Sequence, residues 1–170
     1  MWILVEVLPF GCVMLWLANK RLLVKPAFGS LKGEMALSLE PVPDYLQRSE
    51  NCSVLAFLHG KSAHGDVSEV LVQVAAPLGD VQEVCPDPAA FRYVVLATQG
   101  IVFAFAVGMD QIGFRLNHKY AQRALETGGP PIDGIGPDWR MFEVFRSDYP
   151  SVDLGFWARK AYVIARGAVA

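Results

Sequence analysis

Residues 59–66 read HGKSAHGD and place two of the three histidines of a 170-residue chain beside a Gly-Lys-Ser. Three chemistries are open to such a run. A phosphate-cradling loop needs a glycine five positions before the Gly of Gly-Lys-Ser, so that successive backbone N–H groups converge on the anion; Leu55 stands there instead. His59, His64 and Asp66 are donors of the kind a transition metal takes, yet no third ligand at a fixed spacing completes them. The plain reading is a flexible polar loop leading to a capped helix, and it is the one the residues favour. No catalytic constellation arises elsewhere: His118 opens a predicted helix, and no pair among the scattered carboxylates is singled out for acid and base work. The chain therefore shows no evident catalytic group, which favours a non-enzyme without deciding it, and nominates neither metal nor cofactor.

Charge gives a second candidate chemistry. Six basic residues stand against ten acidic ones up to residue 90, and nine against seven beyond it, within a formal net charge of −2. The basic shift of the second part points to weak DNA contact through Arg92, Arg115, Lys119, Arg123 and Arg140, because phosphate contacts need only placed cations. Lys119 and Arg123 are one helical turn apart and Arg115 ends the strand that feeds their helix, so the three are expected to lie together. A solvated helix face is the bland alternative.

Cys12, Cys52 and Cys85 are an odd number at wide spacing, which is the usage of buried or idle thiols in a cytoplasmic protein. Asn51-Cys52-Ser53 has the form of a glycosylation acceptor, read as chance.

The elements that would position these groups are readable from residue 66 onward. Asp66 and Glu69 have capping-box spacing, and Val67, Val70, Leu71, Val74 and Ala75 then recur as one helical face, predicting a helix over 67–76. FRYVVLAT and IVFAFAVGM flank Gln99-Gly100, a hairpin signal, and the turn GMDQ leads into IGFRL, predicting a three-stranded antiparallel meander. In IVFAFAVGM, Ile101, Phe103, Phe105 and Val107 alternate with Val102, Ala104 and Ala106, which predicts a bulky face on helices and a small face open to close approach. Asn117 caps HKYAQRALET, Gly128 ends it, and a Gly/Pro loop leads to the strand WRMFEVF, opened by Trp139. Asp153 caps a last helix whose inner stripe runs through Leu154, Trp157, Ala158, Ala161, Ile164 and Ala165, with Arg159, Lys160 and Arg166 solvated. The order helix, meander, helix, strand, helix is an α+β layout with helices packed on an antiparallel sheet.

Residues 1–47 read as an apolar extension and linker, and 48–170 as the domain. MWILVEVLPFGCVMLWLA is followed by Lys20, Arg21 and Lys25. Its apolar run is short for a membrane span and is broken by Glu6, Pro9 and Gly11. Membrane contact through residues 1–25 with the domain on the cytoplasmic side, a buried hairpin or helix, and a start-site artefact all remain open. EMALSLE is the one strand signal in the linker.

The run QGIVFAFAVGMDQIGFRL, the helix ending in ETGG, the aromatic strand opening with Trp139 and the final FWARKAYVIA resemble the MmcQ/YjbR family and its relative, the N-terminal domain of TfoX competence regulators, over about residues 67–168. Ile101 departs from the lysine usual after the hairpin glycine, and residues 1–65 have no counterpart. The resemblance implies a small bacterial-type α+β unit, sometimes likened to DNA-binding double-wing modules, and no particular activity. Two functions are thus expected: a binding or regulatory module touching DNA through the five basic residues, or a small-molecule or protein-partner domain. The second would use Ala104, Ala106, Gly108 and Trp139 as pocket residues, with the 128–138 loop as lip.

Overall fold

The computed structural model describes residues 42–87, 92–145 and 152–168, all within the unit Glu40–Ala170. The apolar N-terminal segment and the EMALSLE signal lie outside the described residues. Among those residues, no helix is long and apolar enough to cross a membrane.

Two 3-10 turns, Asp44–Leu46 and Ser49–Asn51, open the fold and run into α1 (Cys52–Leu58) and α2 (Gly65–Ala75). Five strands follow: β1 (Gln82–Val84), β2 (Val94–Thr98), β3 (Ile101–Val107), β4 (Gln111–Arg115) and, after α3 (His118–Glu126), β5 (Trp139–Glu143); α4 (Leu154–Gly167) closes the chain. The sheet is antiparallel throughout, in the spatial order β1-β2-β3-β4-β5. The α+β layout is therefore present, with β1 and α1 added to the expected elements. Neither carries much pattern, since three residues and seven residues are too short for a period to show.

The sheet is covered on both faces. On one side Val94, Leu96, Ile112, Phe114 and Phe142 pack with Val67 and Leu71 of α2, Ala121 and Ala124 of α3, and Trp157, Ala158, Ala161 and Ala165 of α4. On the other, Val95, Ala97, Val102, Phe105 and Trp139 pack with Leu46, Val54 and Leu58 from the turns and α1, and with Ile132 and Ile135 from the loop before β5. Burial of β3 along its whole length follows, because it is the middle strand between two layers.

The bulky and small faces expected along β3 are not preserved. Leu96 pairs with Ala104 but Ala97 pairs with Val102, so Phe103 is an extra residue in the ladder, and this bulge turns the strand over. Ile101 and Phe103 before the turnover, and Ala104 and Ala106 after it, all join the helix-side core, whereas Val102, Phe105 and Val107 join the other. The small residues of β3 thus join the core that α2 and α4 cover.

The β2–β3 turn is a type I′ hairpin, with Gln99 at φ 52° and Gly100 at φ 77°. Its tip is clipped to the first turns. Asn51 is fully buried and donates through Nδ2 to the carbonyls of Leu46 (2.9 Å) and Gly100 (2.8 Å), while its Oδ1 accepts from Val102 N–H at 2.9 Å. The sequon asparagine is a tertiary clip, with its amide consumed on both ends.

Candidate functional site

The HGKSAHGD stretch is stitched to the sheet rather than free. Gly108 N–H donates to Ser62 O and His64 N–H to Gly108 O, both at 2.7 Å, forming a short parallel bridge between residue 63 and the end of β3. The helix cap is His64, whose Nδ1 accepts from Asp66 N–H at 3.3 Å; the expectation that Asp66 caps is corrected, because the chain turns helical two residues sooner. Lys61 Nζ lies 4.5 Å from the centre of the Phe57 ring. Among the described residues, no three His, Cys, Asp or Glu side chains stand close enough to hold a metal.

The five basic candidates are not brought together. Arg140 is buried on the helix side, where Nε donates to Ala121 O (3.0 Å) and Nη1 to Pro137 O (2.7 Å) and Trp139 O (2.8 Å). It ties α3 and the preceding loop to β5 and is corrected from a phosphate contact to a core clamp. Ile112 and Phe114 point to the helix side of β4, so Arg115 points to the other. There it adds to the charge field at Glu50, whose carboxyl is held below the usual range by a backbone hydrogen bond and the Ser49 hydroxyl, with lesser help from Arg48 and Arg115. Lys119 and Arg123 belong to α3 on the helix side, so the expected triad is split by the sheet. Arg92 pairs its backbone with Ser62, and its carbonyl accepts from Cys85 Sγ at 3.8 Å.

Of the pocket candidates, Ala104 and Ala106 are fully buried in the helix-side core, and Trp139 is a core residue whose ring centre lies 5.3 Å from that of Phe105. They line the core, not a mouth. Gly108 (φ 71°) lines a shallow hollow with Phe57, Lys61, Ser62 and Gln111.

The expected lip does border a cavity, about 340 Å³ in volume, built from other residues. The loop after α3 runs along the outer edge of β5, with Met141 N–H donating to Pro130 O at 3.0 Å and residue 131 bridged to residue 140. That track requires a glycine at 129, where a Cβ would come within 2.6 Å of the Phe142 ring. Pairing of Gln111 with Glu143 sets their side chains on the face that Met141 shares. The cavity is lined by Gln111, Met141 and Glu143 from the strands, Thr127, Gly128 and Pro130 to Asp133 from the loop, and Val152. Its lining mixes apolar residues (Ile132, Met141, Val152 and two prolines) with a carboxamide, a hydroxyl and two carboxylates. Such a space can hold a small molecule with an apolar body and hydrogen-bond donors. Its one trace in the sequence is Glu143, a carboxylate on the face it shares with the apolar Trp139 and Met141; the pairing that adds Gln111 is long-range.

Sequence inspection leaves Phe156 unremarked and reads Lys160 as part of a solvated face, whereas the structure sets it against aromatic rings. Arg123 lies 5.0 Å and Lys160 5.4 Å from the centre of the Phe156 ring, and Lys160 is also 5.3 Å from that of Tyr120. No protein-family model, no curated protein and no solved structure matches this chain.

Proposed function

We propose that the domain is a non-catalytic binding module of the YjbR-like kind, and that its ligand site is the cavity between the 127–133 loop and the ends of β4 and β5. The observation that carries this reading is the mixed apolar and polar lining of that 340 Å³ space, at the lower end of the size range of small-ligand sites. Gln111, Asp133 and Glu143 accept hydrogen bonds, so the ligand is a small donor-bearing molecule such as an amine or amide on an apolar body. The meander, helix, strand and helix order over residues 94–167 supports the family likeness. DNA contact has the weaker support, because Arg140 is spent on backbone carbonyls and Arg115 lies across the sheet from Lys119 and Arg123.

A melting-temperature screen of small amines and amides against the full chain tests the proposal. A binder raises the transition by mass action. Met141→Trp, which fills the space, is expected to abolish that rise while keeping the far-ultraviolet circular dichroism of the parent. A rise that persists in Met141→Trp, or a panel without any binder, overturns it.

A further inference from the structure

The shallow hollow beside Gly108 and the cavity at the ends of β4 and β5 meet at Gln111, which lines both. Their charges are opposite. Among the described residues, the hollow, about 330 Å³ in volume, has Lys61 as its one charged lining residue, whereas the cavity is lined by Asp133 and Glu143 and by no cation. Lys61 is half-buried against the Phe57 ring and, among the described residues, makes no ion pair. Contact with an aromatic face orients an ammonium group while leaving N–H donors available. Strand register sets the two spaces side by side: Val107 of the hollow pairs with Gln111, and Gln111 pairs with Glu143 of the cavity. Directly paired residues share a face, so these three form one row across β3, β4 and β5, two strand spacings or about 10 Å long.

We infer that this row binds a linear zwitterion, a peptide of about three residues, with its ammonium toward Glu143 and Asp133 and its carboxylate on Lys61. The inference rests on the cavity being a ligand site and adds the part of the ligand that lies beyond it. An amine on an apolar body satisfies the cavity alone, and Lys61 selects an acidic far end. Three extended residues span about 10 Å, which matches the row. Gln111 stands midway, where its carboxamide can both donate to and accept from a peptide bond. Phe57 and Val107 at one end and Ile132 and Met141 at the other give apolar side chains a surface. Opposite charges at the two ends fix the direction of the chain, and the paired carboxylates reject a ligand that is anionic throughout.

Tripeptides built from Ala, Leu and Phe, screened by melting temperature on the full chain, test the inference. The strongest binder is then titrated by calorimetry as the free peptide, its C-terminal amide and its N-acetyl form. The free peptide is expected to bind about fivefold more tightly than either blocked form, and its advantage should shrink with added salt. Lys61→Met keeps an apolar stem on Phe57 and removes the charge. It should weaken the free peptide to the level of the amide while leaving unchanged both the amide and the response to small amines, since Lys61 does not line the cavity. Equal binding of free peptide and amide, or a preference for the free acid that survives Lys61→Met, would overturn the inference. So would a panel without a binder when small amines still raise the melting temperature, an outcome that leaves the cavity reading standing. Failure of amines, amides and tripeptides alike would remove that reading and this inference together.

Discussion

Two side chains whose types suggest function prove, at the scale of the residue, to be structural, and each makes a prediction. Arg140 satisfies three carbonyls from three places in the chain. Arg140→Met keeps the apolar stem but leaves those acceptors short of a donor, so urea denaturation should show a loss of about 2 to 3 kcal/mol. Cys85 is the second. Burial pushes its thiol up, the backbone hydrogen bond from Asp87 opposes this, and the charges of Glu83 and Asp87 add to the rise. The folded protein therefore keeps the Cys85 proton beyond the point at which an unfolded thiol releases it. The associated stability is present below the ordinary thiol range and is lost as pH rises through the folded value. Alkylation followed by mass spectrometry should modify Cys85 more slowly in the folded chain than in urea at mildly alkaline pH, and the two rates should converge at higher pH.

The hairpin and meander are the elements the sequence states most clearly, and their fine structure is where close packing enters. Phe105 pairs with Gly113 across β3 and β4, and its ring covers the glycine so closely that an added Cβ would come within 2.3 Å of a ring carbon. Phe105 is itself wedged between Phe57, 5.8 Å away, and Trp139, 5.3 Å away, so it has no room to shift. Gly113→Ala is thus expected to cost about 2 to 3 kcal/mol by overpacking, although alanine has the better backbone propensity. Differential scanning calorimetry checks this. A shift under a degree would mean that the ring is mobile.

Two cores on opposite faces of one sheet organise the described domain, and it should respond to perturbation accordingly. Asn51→Ala breaks the clip between the first turns and the hairpin on the α1 side, with an expected cost of about 2 to 3 kcal/mol. Ala161→Leu forces α4 off β3 on the other side and is expected to cost about 1 to 3 kcal/mol. Since the two sites lie on opposite faces of the sheet, their effects should add within about 0.5 kcal/mol in the double variant. A larger deviation, read from chemical denaturation of the four proteins, would show that the sheet transmits strain between the layers.

The sequence by itself determined the local grammar. Asn117 and Asp153 cap their helices, Gln99-Gly100 turns the hairpin, and the stripe from Trp157 to Ala165 faces the core, because each depends on contacts within a few residues. Only the tertiary structure decided which residues share a site. One bulged residue, Phe103, reversed the faces of β3 and put Ala104 and Ala106 in the helix-side core. The alternation of β4 carried Arg115 to the far side of the sheet from Arg123, and burial turned Arg140 into a clamp. The cavity of Gln111 and Glu143 and the hollow of Lys61 and Gln111 each join segments at least 30 residues apart. Such neighbours are set by register and packing, which a period read along the chain does not contain.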